Sequence, residues 1–190
     1  MGKYIYWIFV VVFFSLLANE AYKYFYPNDN IRAKRIECQE ESITFERIYS
    51  PSLIKEAINA LESGNVKTKY KMVPSVYTTS QMGKYFTIED VNNDLLKILA
   101  KHKKQNKLNT QPLLIDYYVY ENDVDDPGKK TEEAKKYAGY IRMNFYIGDS
   151  HVYANQIDFM DWQGKDIKDR LECAINSLRT LENEYDKPSK

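Results

Sequence analysis

Cysteine and histidine have the widest chemistry of the side chains in this sequence, and the chain has two of each. Neither Cys38 nor Cys173 lies in a Cys-x-x-Cys pair or beside a plausible base, which argues against a catalytic thiol. His102 and His151 have no identifiable acid partner and no metal-ligand spacing. We therefore predict no catalytic residue, no metal ligand and no cofactor. An even pair of cysteines in an exported chain instead predicts a Cys38–Cys173 disulfide, with two buried free thiols as the alternative.

The most acidic loop of the sequence invites comparison with a calcium-binding loop. Registered on Asp123 and Asp125, it has Pro127 at the fifth position and Ala134 at the twelfth, where a bidentate glutamate is needed. The calcium pattern therefore fails. The Asp-Pro-Gly sequence predicts an exposed turn between two strands instead.

A group of tyrosines and one arginine could recognise another protein, since both residue types are enriched at interface hot spots. Alternation in two predicted strands places this group on the face turned away from the core. The alternative is that these are ordinary core or core-edge residues, because the chain has 17 tyrosines to accommodate. The candidate partner-binding residues are Tyr118, Tyr120, Tyr140, Arg142 and Tyr146.

Lysine alternates with other residues over Val66–Met72, so that Lys67, Lys69 and Lys71 share one face of a predicted strand. Such a row is typical of an edge strand protected against aggregation. A binding stripe for phosphate or anionic lipid is the alternative.

Hydrophobic periodicity predicts the elements that position these residues. The predicted helices begin at Ser50, Thr87 and about Lys165, and the predicted strands are Val66–Met72, Leu113–Glu121, Tyr137–Ile147 and His151–Phe159. The order α-β-α-β-β-β-α predicts an α+β fold in which a largely antiparallel four-stranded sheet packs with about three helices. The expected divisions are a membrane anchor or signal segment (1–26), a juxtamembrane connector (27–49), one α+β domain (50–185) and a frayed tail (186–190).

The N-terminal segment has the order of a signal peptide, a short basic start followed by an uncharged apolar run over residues 4–18. As a helix this run is about 22 Å long, short of the ~30 Å hydrocarbon core, whereas a helix extended to Tyr26 would reach about 34 Å. Aromatic residues then lie at both ends, as in a spanning helix. Cleavage after Ala18 or Ala21 lacks the preferred small residue upstream. We predict an uncleaved transmembrane anchor, with a cleaved signal and a secreted or periplasmic protein as the alternative.

Two features of the sequence predict opposite orientations of this segment in the membrane. Lys23, Arg32, Lys34 and Arg35 outnumber Lys3, which by the positive-inside rule favours a cytoplasmic domain. The signal-like order and the cysteine pair favour export. We predict a single-pass inner-membrane protein with its domain in the periplasm.

Charge and composition narrow the classes of partner. Lysine plus arginine and aspartate plus glutamate both number 27, so no long-range field attracts nucleic acid. Lysine far exceeds arginine and no Asn-x-Ser/Thr triplet occurs, which together favour an AT-rich bacterial source over a eukaryotic secretory route. No small-molecule substrate is indicated.

These observations favour a non-enzymatic envelope protein over an enzyme. The first hypothesis is a membrane-anchored protein whose domain binds another envelope or secreted protein as an accessory or scaffold component of an assembly. The alternative is a periplasmic immunity protein or inhibitor that neutralises a toxin or enzyme. An envelope hydrolase is the second alternative and requires a histidine–carboxylate pair in a cleft.

Overall fold

The computed structural model describes residues 15, 35–104, 111–129 and 131–182. The predicted anchor, residues 1–26, lies outside the described residues except for Ser15. Among the helices that are described, none has the length and hydropathy needed to cross a bilayer. The described elements, in chain order, are α1 (Glu37–Ser42), β1 (Ile43–Ile48), α2 (Ile54–Ser63), β2 (Val66–Val73), α3 (Ile88–Lys101), β3 (Leu113–Glu121), β4 (Gly139–Ile147), β5 (Ser150–Phe159) and α4 (Ile167–Arg179), with single 3-10 turns at Pro51–Leu53 and Glu133–Lys135.

The strands form one sheet in the order β1-β5-β4-β3-β2. The pairs β1/β5, β5/β4 and β4/β3 are antiparallel, and only β2/β3 is parallel. The prediction of a mixed α+β fold is confirmed. The prediction of four strands in the order α-β-α-β-β-β-α is wrong, since the described residues contain a fifth strand, β1, and a short helix, α1, before it.

Strand β1 lies within residues 27–49, the stretch predicted to be a connector. Its alternation is broken because a β-bulge shifts the register between Ile43 and Phe45. After the bulge Glu46 pairs with the buried Asn155 and therefore lies on the inner face, where a charged residue is not expected. An inward glutamate next to a bulge removes the period of two by which a half-buried strand is recognised.

The hydrophobic core lies between one face of the sheet and the longer helices. Strands β3 and β4 alternate strictly between buried and half-buried residues. Their buried residues join those of α2, α3 and α4 in a single cluster, whose largest members include Tyr117, Tyr153 and Phe145. The helices therefore cover the inner face, and the other face of the sheet is the outer face named below.

Local sequence explains where these helices begin and end. Thr87 accepts a hydrogen bond from the backbone of Asp90, whose carboxylate accepts from Thr87, so a reciprocal capping box starts α3. Gly64 ends α2 with a φ of 76°, a left-handed conformation that favours glycine.

The predicted disulfide is confirmed. Cys38 in α1 bonds to Cys173 in α4, with Cα atoms 6.0 Å apart and a sequence separation of 135 residues. The bond fastens the beginning of the domain to its last helix.

Candidate interaction surface

The predicted partner-binding residues lie together on the outer face of the sheet. Tyr120 pairs with Tyr140 and Tyr118 pairs with Arg142 across β3 and β4, and Tyr146 follows on the same face of β4. All five side chains are half-buried. Because opposite residues of an antiparallel pair have neighbouring side chains, the structure brings four of them into direct proximity.

Three tyrosines form a packed cluster at the centre of this face. The ring of Tyr140 stacks on Tyr120 with centroids 4.7 Å apart and meets Tyr118 edge-on at 6.0 Å. Burial and a hydrogen bond with Tyr118 raise the pKa of the Tyr140 hydroxyl well above its ordinary value of 10.0. The Tyr140 hydroxyl is therefore neutral at neutral pH.

A second aromatic group, which the sequence interpretation missed, continues from Tyr146. The ring of His151 lies between those of Tyr146 and Tyr49, with centroid distances of 4.6 and 3.9 Å. Burial lowers the pKa of His151 from its ordinary value of 6.5, so its imidazole is neutral at neutral pH. Simple alternation along β5 would place His151 on the inner face with Tyr153. A register shift after Phe145 instead moves His151 opposite Tyr146, and so onto the outer face.

Arg142 lies over another outer-face ring. Its guanidinium carbon is 3.9 Å from the ring centroid of Phe45, which the register of β1 also places on the outer face. Stacking fixes the guanidinium plane and leaves its N–H edge available to an acceptor. Within the described part of the chain, this guanidinium donates no hydrogen bond.

The predicted row of lysines lies on the outer face of β2, which is an edge strand of the sheet. Lys69 makes an ion pair of 3.2 Å with Asp116 on β3, and Lys71 lies 5.7 Å from the ring centroid of Tyr118. The lysine row and the tyrosine cluster are therefore parts of one continuous surface.

Two buried carboxylates organise the loop that follows β2. Glu121 accepts hydrogen bonds from the hydroxyls of Ser75 and Ser80 and from the backbone N–H groups of Ser75 and Gln81, at 2.6–3.0 Å. Asp123 holds the middle of the same loop through backbone N–H groups and one hydroxyl. The predicted Asp-Pro-Gly turn is exposed at Pro127 and Gly128, whereas Glu121, Asn122 and Asp123, which precede it, are buried.

A signal for the buried glutamate was present in the sequence. Glu121 has the same parity as Leu113, Ile115, Tyr117 and Val119, all of which lie on the inner face of β3. For Asp123 no such signal exists, because its hydrogen-bond donors are more than 40 residues away in the sequence.

The loop held by these carboxylates exposes two apolar side chains. Val76 is 84% and Tyr77 62% exposed, the largest values among the exposed large hydrophobic residues. The backbone N–H groups of Val76 and Tyr77 donate hydrogen bonds to the Asp123 carboxylate. The loop therefore presents apolar groups from a fixed backbone.

The described ranges contain no group of three or more histidine, cysteine and acidic residues suited to a metal ion. Comparison of the chain with protein-family models, with curated proteins and with solved structures finds no match in any of the three.

Proposed function

We propose that this chain is a non-enzymatic, membrane-anchored bacterial envelope protein whose periplasmic α+β domain binds another protein through the outer face of its sheet. In this proposal it acts as an accessory or scaffold component of an envelope assembly. The membrane is contacted through the N-terminal helix, and the disulfide belongs to an oxidising compartment.

The observation that carries the proposal is the tyrosine and arginine cluster on the face opposite the helices. Tyrosine and arginine are the residues that most often supply the binding energy of an interface. Here Tyr118, Tyr120 and Tyr140 already pack against one another, so little side-chain freedom is lost when a partner docks. A surface ordered in advance in this way suits recognition of a folded or extended protein.

Affinity capture from detergent-solubilised membranes tests the proposal. The full-length chain is compared with Tyr118→Ser/Tyr140→Ser and with Leu96→Ser, a control that removes an exposed apolar side chain from α3 on the opposite side of the sheet. We expect one stoichiometric protein to be recovered with the wild type and the control. Its apparent affinity for the tyrosine variant should be weaker by at least about tenfold.

Two outcomes of this capture would contradict the proposal: recovery of no stoichiometric protein, or equal recovery by all three chains. The nature of the captured protein separates the assembly role from inhibition, because a toxin or enzyme whose activity falls on binding would identify an immunity protein or inhibitor. Protease treatment of spheroplasts tests the location, since a periplasmic domain is digested while the inner membrane is still intact.

A further inference from the structure

The outer face carries far more positive than negative charge, although the chain as a whole is balanced. The register of the five strands assigns its charged residues. The cations are Arg47, Lys67, Lys69, Lys71 and Arg142, and the carboxylates are Asp116 and Asp158. Such a separation of charge on one surface favours partners of the opposite sign.

Both carboxylates of this face already have partners within the sheet. Asp116 pairs with Lys69 at 3.2 Å, and Asp158 accepts from the Thr44 hydroxyl at 3.3 Å. Among the described residues, Lys67, Lys71 and Arg142 have no acidic partner. These three cations are therefore available to carboxylates supplied by another molecule.

The spacing of the cations fits an extended chain. Alternate residues of a strand are about 6.6 Å apart, so Lys67, Lys69 and Lys71 match carboxylates at every second residue of an extended segment. Arg142 lies two strands away from β2, a lateral distance of roughly 10 Å. A side chain of the same segment, or a neighbouring strand of the partner, can span that distance.

The aromatic rings of this face argue against nucleobases and sugars as the ligand. Base and sugar recognition uses free ring faces for stacking. Here mutual stacking covers one face of Tyr120 and one face of Tyr140, and both faces of His151 are covered by Tyr49 and Tyr146. The ring area left for stacking a base or a sugar is therefore reduced, which favours a protein as the ligand.

From this geometry we infer that the partner contributes an extended acidic segment, with carboxylates at alternate residues, which binds along the lysine row by pairing with Lys67 and Lys71 and reaches Arg142. The inference rests on the proposed function and specifies the chemistry of its partner. A lysine row whose sole role is to block strand pairing would give no such binding.

A labelled peptide with glutamate at alternate positions tests the inference, titrated into the full-length protein in detergent micelles and followed by fluorescence anisotropy. The comparison ligands are the same peptide with glutamine, a short oligothymidine and a short-chain phosphatidylglycerol. The test variant is Lys67→Glu/Lys71→Glu. Its matched control, Lys165→Glu/Lys168→Glu, makes the same change in charge at exposed lysines around the start of α4.

We expect the glutamate peptide to bind and to bind more weakly as salt rises. Its affinity should fall roughly tenfold in Lys67→Glu/Lys71→Glu and be unchanged in the control variant. The inference is overturned if the glutamate peptide does not bind, if both double variants bind it equally, or if the glutamine peptide, the oligothymidine or the lipid binds as tightly. If membrane capture recovers a partner that binds Lys67→Glu/Lys71→Glu as tightly as the wild type, the inference fails while the proposed function stands.

Discussion

Thr78 donates both its backbone N–H and its hydroxyl to the same carboxylate oxygen of Asp123, at 2.9 and 2.7 Å. The other oxygen accepts the backbone N–H groups of Val76 and Tyr77, each at 2.6 Å. The four donors come from one short loop, so this carboxylate fixes the position of the exposed Val76 and Tyr77 side chains.

Asp123→Asn should loosen this loop. The amide is similar in size but replaces one acceptor oxygen by a donor group, which faces N–H groups that then have no partner. We expect faster hydrogen exchange at Val76, Tyr77 and Thr78, together with a lower melting temperature. Asp125→Asn is the control, because Asp125 is exposed and accepts from the Thr78 hydroxyl at the longer distance of 3.2 Å. Similar exchange in both variants would contradict the assigned role.

Acid should lower the stability of the domain by protonating the carboxylates that hold the same loop. Burial alone would raise the pKa of Asp123, but hydrogen bonds from Tyr77, Thr78 and Val76 outweigh it and hold the pKa at about 2, below the ordinary value of 3.8. Hydrogen bonds from the loop likewise outweigh burial and lower the pKa of Glu121. A pKa lowered in the folded state stabilises the fold above the unfolded pKa, and this stabilisation is lost as pH falls through the folded value.

Urea unfolding measured as a function of pH checks this expectation. The midpoint of the wild type should decline as pH falls from 3.8 towards about 2. The decline should be shallower in Asp123→Asn, because the variant has no carboxylate to protonate at this position. Parallel profiles for the two chains would show that other groups govern the acid sensitivity.

Removal of Arg35 should lower the free energy of unfolding, because the Arg35 guanidinium neutralises the mostly buried carboxylate of Glu46. The Arg35 and Glu46 side chains are 9% and 12% exposed, and their contact is supported by bonds from Arg35 to Thr180 and from Tyr153 to Glu46. Arg35→Met should lower the free energy of unfolding by about 3 kcal/mol, and Arg35→Met/Glu46→Met should recover part of that loss.

Lys69→Met is the matched control for this pair. It breaks the exposed ion pair with Asp116, in which the lysine side chain is 73% exposed, and should cost less than about 1 kcal/mol. Equal losses in Arg35→Met and Lys69→Met, measured by urea unfolding, would show that burial of the Glu46 charge is unimportant.

The disulfide should contribute strongly to stability because it closes a long loop. Cys38 and Cys173 are 135 residues apart, and in the chain-entropy model a loop of that length is worth about 4–5 kcal/mol. We expect Cys38→Ala/Cys173→Ala and the reduced wild type to show similar losses. Non-reducing mass analysis of protein from its native compartment should detect the bond, and free thiols at both positions would also weaken the case for export.

Much of the fold could be predicted because its strongest signals are local. Strands β3 and β4 bury alternate residues, so their period of two appears directly in the sequence and also places Tyr118, Tyr140 and Arg142 on one face. Helix α3 begins at a capping box whose two members are three residues apart. Such signals can be read from the sequence without knowing which elements pack against one another.

The remaining features depend on contacts between distant residues. Strand β1 carries an inward glutamate that is acceptable only because Arg35 and Tyr153 satisfy it. His151 reaches the outer face through a register shift, and Phe45 does so after a bulge. None of these follows from periodicity, because each reverses the side on which alternation would place the residue.

The sequence by itself determined the period and ends of the main elements, the face that the tyrosines share and the pairing of its only two cysteines. These follow from local backbone geometry and from counting. The tertiary structure decided which strands are neighbours, that β1 forms an edge of the sheet, and that Asp123 is buried, where it holds a loop that is distant in the sequence. A buried charge is tolerated only where donors from elsewhere in the chain surround it, and that arrangement exists only in the folded state.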